Sequence, residues 1–535
     1  MDRISFKRFG VMLDMSRNSV MRPDALKDFA TLLRQMGYNT LLLYTEDTYE
    51  IPGEPYFGHF RGRYTAEDIR GIVAHCEGLG MEVIPCIQTL AHLATYLKWR
   101  HTAPFRDCGD ILLAESDETY ALIRKMLRGV KAAYKSRHVH VGMDEAHLIG
   151  LGQYLKKHGY TDRFGILSRH LQKVCEMARE EGLEPNMWSD MFFRLANGGV
   201  YSLDRPKLDP DRIGPLPEDL NLTYWDYYST GKRRYRAMFR AHKRLTDRIW
   251  FAGGIWTWKG WAPDNRHSVN TCLPGLAVAA EEGVENAFVT LWGDDGGECS
   301  RFAALPSLFA VARFAAGETD KKRIAEQFEE CFGIPYRAFL ELDLKLEKDK
   351  VANPEKYLLY NDPFLGLCDS TVYGTEDGFY RRAARRLRRY AKHPRFGALF
   401  ASQAALAQTL SYKALLGKKT RECYVRGDRE GGKALLRDYG LAIRGLRDFI
   451  GKFRTLWHWE NRPQGFEVQE VRLGGLLERL QSCRVRLADW VENGTEIPEL
   501  AEPCLDFFGG GTTLAPGHFR HTAYEKMYTP GQPPK

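Results

Sequence analysis

Apolar positions along the first 315 residues follow two alternating patterns. Short runs in which nearly every residue is apolar or β-branched recur at 10–15 (GVMLDM), 40–44 (TLLLY), 82–87 (EVIPCI), 138–142 (HVHVG), 184–188 (EPNMW), 222–225 (LTYW), 248–253 (RIWFAG) and 287–292 (AFVTLW). Runs without alternation describe strands covered on both faces, as in a parallel sheet. Amphipathic helical patterns lie between them. Pro23 opens one whose Leu26, Phe29, Ala30 and Leu33 fall at i, i+3, i+4, i+7. Thr65 and Asp68 form a capping-box pattern ahead of Ile69, Ile72, Val73 and Cys76. Eight such units predict closure into a (β/α)8 (TIM) barrel over residues 1–318. The stretch 197–219 is loop-like and rich in Gly, Pro and Asp, an insertion placed to shape a cleft above a strand end.

Beyond about residue 320 the strand pattern stops. Helical periodicity runs through 325–332, 381–390, 403–416, 433–453 and 471–490, which predicts a C-terminal α-helical domain over 319–495. Residues 496–535, with three consecutive glycines at 509–511 and the ending TPGQPPK, are expected to be an extended Gly/Pro-rich tail. The fold class is therefore α/β, a (β/α)8 barrel followed by a helical domain.

Composition changes this picture little. Of 535 residues, 77 are basic and 69 acidic, and the net charge of +8 is spread along the chain. Nucleic-acid binders concentrate such charge on one face, so no nucleic-acid partner is expected. The densest basic run, 381–395, reads as a solvated helix face with Leu387 and Tyr390 turned inward. Eleven cysteines without CxxC pairs point to reduced thiols and a cytoplasmic setting, although a signal removed ahead of residue 1 is compatible with the sequence. No stretch reaches the length of a membrane span. A homodimer is also compatible.

Catalytic groups of a barrel sit at the C-terminal ends of its strands. Those ends carry Glu46–Asp47, His92, Asp144–Glu145, Trp188 with Asp190, then Tyr224, Trp225, Asp226 and Tyr227, then Trp256, Trp258 and Trp261, and finally Trp292 with Asp294. Carboxylates ringed by indoles suit a carbohydrate, whose C–H faces pack on aromatic rings while its hydroxyls bond to carboxylates. Taken singly, each group has a plainer reading: a tryptophan as core, His92 as a structural hydrogen-bonding residue, Asp14 or Glu46–Asp47 as loop acids. Their coincidence at successive strand ends favours the site. Asp144–His147 spells DEAH, as in certain helicases, but no GxxxxGK[ST] loop exists to cradle a nucleotide. His138, His140 and His147 lack the companions of a recognisable metal-ligand set, so neither metal nor cofactor is expected.

The segment His140-Val141-Gly142-Met143-Asp144-Glu145 resembles the His-x-Gly-Gly-Asp-Glu signature of glycoside hydrolase family 20, the β-N-acetylhexosaminidases, with Met143 in place of the second glycine. Pro85–His92 (PCIQTLAH) keeps the proline and histidine of the family's third-strand pattern, and Tyr44–Tyr49 (YTEDTY) is similar to its paired acids. Met187–Asp190 (MWSD), Tyr224–Asp226 (YWD) and Leu291–Asp294 (LWGD) are similar to its later Trp, Tyr-x-Asp and Trp-x-Glu motifs. The resemblance covers roughly the first 315 residues and looks closest to a bacterial branch lacking the small α/β domain ahead of the barrel.

The resemblance implies a retaining exo-β-N-acetylhexosaminidase acting on a carbohydrate substrate, in which the 2-acetamido oxygen attacks the anomeric carbon and forms an oxazolinium intermediate. Glu145 is then the general acid and base, and Asp144 orients the acetamido N–H. Tyr227 or Tyr224 holds the acetamido oxygen. Trp188, Trp256, Trp258 and Trp292 wall the pocket, with Asp226 and Asp294 among the binding groups. His92 and an acid from Glu46–Asp47 tune Glu145. The arginine that grips the outer hydroxyls is Arg8, displaced by one residue from the family's Arg-Gly, or Arg17. Two rivals keep the barrel: a glycosidase with a separate nucleophile such as Asp190 or Asp294, and a carbohydrate-binding barrel without turnover.

Overall fold

A computed structural model describes residues 5–294, 296–346, 354–369 and 372–503. The expected tail beyond 503 lies outside the described residues. The chain divides into two compact units.

The first unit holds the chain up to Ile255, Arg266–Trp292 and Ser307–Ile324. Its strands are β1 (Arg8–Asp14), β2 (Thr40–Tyr44), β3 (Glu82–Cys86), β4 (His138–His140), β5 (Glu184–Trp188), β6 (Asn221–Trp225), β7 (Ile249–Gly254) and β8 (Asn286–Leu291). All pair in parallel with their sequence neighbours, and β8 returns to β1, closing an eight-stranded barrel. Leu13 of β1 stands opposite Leu43 on one side and Leu291 on the other. Every predicted strand is present, shifted by no more than a residue or two at its ends.

Local signals set the helices. Pro23–Met36 begins on its proline and ends at Gly37, whose φ of 111° supplies the left-handed cap that a side chain resists. Ala66–Gly78 begins with the Thr65–Asp68 capping box, both reciprocal bonds being made. Within 197–219 the regular structure is a single turn, Pro210–Ile213.

β4 is the shortest strand of the barrel. Among the described residues it pairs with β3 only through His140↔Cys86. The backbone then leaves the ladder and turns left-handed at Gly142 (φ 75°), Met143 (71°) and Glu145 (51°). A regular strand would send Asp144 and Glu145 to opposite faces; this early ending lets both serve one site.

The second unit holds Trp256–Asn265, Gly293–Pro306 and the chain from Ala325 onward. Long helices dominate it, chiefly Gly397–Lys413, Arg429–Glu460 and Phe466–Asn493, and it continues through the short turn Pro498–Ala501. Buried ion pairs knit it together: Lys356 with Glu298 at 2.7 Å and Arg301 with Glu460 at 3.6 Å. In Glu376–Leu387, Leu387 faces inward as read from the sequence, with Ala383 and Ala384 also buried, whereas Tyr390, expected inward too, is only half-buried. No described helix is long and apolar enough to cross a membrane.

Candidate active site

The left-handed turn after β4 is held by Gln88. Its Nε2 donates to Asp144 Oδ1 (2.7 Å) and to the Tyr44 hydroxyl (2.8 Å), while its Oε1 accepts from the Met143 N–H (3.2 Å). A Cβ on Gly142 would lie 2.1 Å from Gln88 Oε1, so the first glycine of the motif is required by close approach as well as by its φ. Met143 takes a φ of 71° that glycine would adopt without strain, and its buried side chain offsets that strain. Glu46 and His92 also have positive φ, so left-handed non-glycine residues gather at the barrel mouth.

His92 Nε2 lies 3.2 Å from Asp144 Oδ2 and 3.9 Å from Glu145 Oε2. Coulomb attraction is the main content of the first contact. Burial disfavours a charged imidazole, but the Asp144 carboxylate beside it, backed by Glu46, overrides burial and lifts His92 to about 10. Burial also opposes the Asp144 charge, yet His92 and the Gln88 hydrogen bond hold Asp144 down at about 2. Asp144 is thus a permanent anion with a side chain only 12% exposed. Its neighbour Glu145 has a side chain 40% exposed. Two adjacent carboxyls therefore occupy different environments.

The network runs on to the rim. Glu46 Oε1 accepts from the Tyr44 hydroxyl at 3.0 Å and from Arg17 at 3.1 Å. The aromatic wall is formed by Trp188 and Trp292, with ring centroids 6.0 Å apart. His140 packs on Trp188 at 4.4 Å, and Tyr44 meets Trp292 edge-on at 4.7 Å. The buried Tyr227 hydroxyl hydrogen-bonds with Trp292 and Thr290. Arg17, Glu46, His92, Asp144, Glu145, Trp188, Tyr227 and Trp292 are thereby brought together.

Tyr224, Asp226, Asp47 and Arg8, also expected at the site, take other roles. Tyr224 points away from the mouth, into the helix layer, packing on Phe239 and His242 at 5.0 Å. Asp226 accepts from Tyr224, Ser202, Ser229 and the Tyr228 N–H, which makes it the organiser of the turn after β6. Asp47 is buried against Arg61 at 3.4 Å and fixes the loop after β2, since Arg61 also bonds Asn18 and the Ser16 carbonyl. Arg8 opens β1 and pairs with Glu82 at 2.7 Å, at the opposite end of the barrel from Asp144, so of the two arginines expected to grip the outer hydroxyls Arg17, paired with Glu46, is the one at the mouth. Trp256 and Trp258 belong to the second unit, where their rings lie 4.7 Å apart under Lys259, and the exposed Asp294 belongs there too.

Three residues were not singled out from the sequence. Gln88 and Tyr44 lie inside motifs that drew attention to other positions. Arg194 lies outside every motif. Its Nε donates to Asp190 Oδ2 and its Nη2 to Glu145 Oε1, each at 2.9 Å. Asp190 is fully buried and accepts the Glu145 N–H at 3.1 Å.

Residues 6–226 match the family model for the glycosyl hydrolase family 20 catalytic domain, and residues 341–514 match that for the glycoside hydrolase 20C C-terminal domain. Hexosaminidase D of Bos taurus is 27% identical over 263 residues, covering 46% of this chain and 69% of that protein. Hexosaminidase D of Homo sapiens is 28% identical over 198 residues, covering 34% of this chain and 40% of that protein. Among solved structures, the Vibrio harveyi GH20 exo-β-N-acetylglucosaminidase superposes with a TM-score of 0.48 at 16% identity, over 62% of this chain and 59% of that one. The two family models together take in most of the described chain, both barrel and helical unit, and the protein belongs to glycoside hydrolase family 20.

Proposed function

We propose that the protein is a retaining exo-β-N-acetylhexosaminidase that removes a terminal β-linked GlcNAc or GalNAc by substrate-assisted catalysis. The observation that carries this reading is the pairing of a buried, permanently ionised Asp144 with an adjacent, accessible Glu145. The substrate's acetamido oxygen forms a bond to the anomeric carbon as Glu145 gives its proton to the leaving oxygen, which departs with the bonding pair. Asp144 accepts the acetamido N–H and stabilises the positive charge that grows on the ring formed. Water then attacks the same carbon and gives its proton to Glu145, while the bond to the acetamido oxygen breaks and its electron pair returns to that oxygen, restoring the first configuration. Tyr227 donates to the acetamido oxygen, Trp188 and Trp292 exclude water, and Arg17 with Glu46 meets the outer hydroxyls.

Burial argues against a separate nucleophile at Asp190. A nucleophile must touch the anomeric carbon, and Asp190 has no exposed surface and is already engaged by Arg194 and the Glu145 N–H. The test compares p-nitrophenyl β-glycosides of GlcNAc, GalNAc and glucose with wild type and Glu145→Gln. The expected result is hydrolysis of the two N-acetyl sugars, falling about 10²–10⁴-fold in the variant. Glucoside hydrolysis at a comparable rate supports the separate-nucleophile reading instead.

A further inference from the structure

Glu145 is flanked by two cations that the motif does not announce as a pair. His92 faces Oε2 at 3.9 Å, and Arg194 caps Oε1 at 2.9 Å. Arg194 is itself fixed at every nitrogen: Nε on Asp190, Nη1 on the Gly199 carbonyl at 3.1 Å, Nη2 on Glu145. Its guanidinium carbon lies 5.8 Å from the Trp225 ring and 5.9 Å from the Tyr201 ring, both within reach of a cation–π contact. The side chain is 15% exposed and leaves Asp190 with a buried, ion-paired oxygen.

We propose that Arg194 and Asp190 form a positioning pair that holds Glu145 by Oε1, turns Oε2 toward the cleft as the proton-carrying oxygen, and governs the alkaline limit of activity. The proposal rests on Glu145 being the general acid. Arg194 Nη2 holds Glu145 Oε1 and its Nε holds Asp190 Oδ2, each at 2.9 Å, so the two carboxyls share one cation. Burial, the Asp144 charge and the Glu145 charge raise Asp190 to about 7 against the pull of Arg194. Its Oδ1 is buried without a hydrogen-bond partner among the described residues and is the oxygen open to a proton. The other titratable or charged groups facing this cluster are His92 and Asp144, with Glu46 and Arg17 behind them, and His147 with Arg163 on the outer side.

The pair makes opposite-signed predictions for the alkaline limb of kcat/KM, which reports the essential acid of the free enzyme. Arg194→Met removes a cation from Glu145, keeps its proton to higher pH and moves the limb up by about one unit, the lower end of the effect of an opposite charge at this range. Asp190→Asn leaves the cation unmoderated and moves the limb down. Arg194→Lys keeps the charge and holds the limb near its wild-type position while kcat falls through lost geometry. A merely structural role moves no limb, or moves both the same way.

The profiles are measured on whichever of the p-nitrophenyl β-glycosides the wild type hydrolyses, so activity on the glucoside alone overturns the acetamido reading and leaves this test intact. A carbon-13 titration of the Glu145 side-chain carboxyl, assigned by its loss in Glu145→Gln, reads the same displacement without turnover and serves if Asp190→Asn fails to fold. An Arg194→Met titration at or below the wild-type midpoint overturns the proposal.

Discussion

Replacing Asp144 by Asn keeps the shape and one hydrogen-bond acceptor while removing the charge. The substrate is neutral and the oxazolinium ion is not, so the charge acts mainly in the transition state. A carboxylate about 4 Å from the delocalised positive charge, at the effective dielectric of ~20 suited to protein sites, contributes roughly 4 kcal/mol. That corresponds to about 10³-fold in kcat. KM changes far less, because ground-state binding loses only charge assistance in one hydrogen bond. The structure adds a second effect of the same sign. His92 owes its charge to Asp144, so the variant also lowers the proton affinity of the imidazole that faces Glu145. The assay is kcat and KM on p-nitrophenyl β-GlcNAc, with thermal melts to establish that the variant is folded. A loss below about tenfold, or one confined to KM with kcat kept, refutes the assignment of Asp144 as the charge that stabilises the intermediate.

Three further outcomes are expected. Gly142→Ala places a methyl 2.1 Å from Gln88 Oε1 and 2.9 Å from the Ile87 carbonyl at a φ of 75°, so it displaces Gln88 from Asp144; melting temperature and kcat should both fall, and unchanged kcat contradicts the role given to Gln88. Tyr224→Phe deletes one bond to Asp226 in the helix layer, lowering stability by about 0.5–1.5 kcal/mol while kcat/KM stays at wild type; a large kinetic loss returns Tyr224 to the site. The His92–Asp144 pair stabilises the fold fully where both partners are charged. His92 is raised from 6.5 to about 10, so its contribution is complete below 6.5 and is lost as pH rises through 10; Asp144 is lowered from 3.8 to about 2, so its contribution is complete above 3.8 and is lost as pH falls through 2. The difference in urea midpoint between wild type and His92→Leu should therefore be widest between pH 4 and 6.5 and narrow toward pH 10; a gap that widens above pH 6.5 contradicts it.

Barrel strands and helices were legible because their signals are local: apolar runs, a proline at a helix start, a capping box. Asp144, Glu145 and His92 were legible because they close conspicuous runs. Tyr224 was misplaced because a strand apolar on both faces does not say which face meets the barrel interior and which the helices. Arg8 lies at the start of its strand, where only a shift of register would have brought it to the mouth. Arg194 was invisible for a different reason. It sits one helical turn after Asp190, a spacing that reads as an ordinary surface ion pair until Glu145 is folded against it.

The central claim is that the substrate's own acetamido oxygen is the nucleophile. It is tested most directly by kcat/KM for p-nitrophenyl β-glucosaminides whose N-acyl group is acetyl, fluoroacetyl, difluoroacetyl and trifluoroacetyl. Each fluorine weakens the carbonyl oxygen as a nucleophile with little change in size. A steep fall along the series is the predicted result. A flat series, with the trifluoroacetyl sugar turned over as fast as the acetyl one, contradicts the account and requires a nucleophile from the protein.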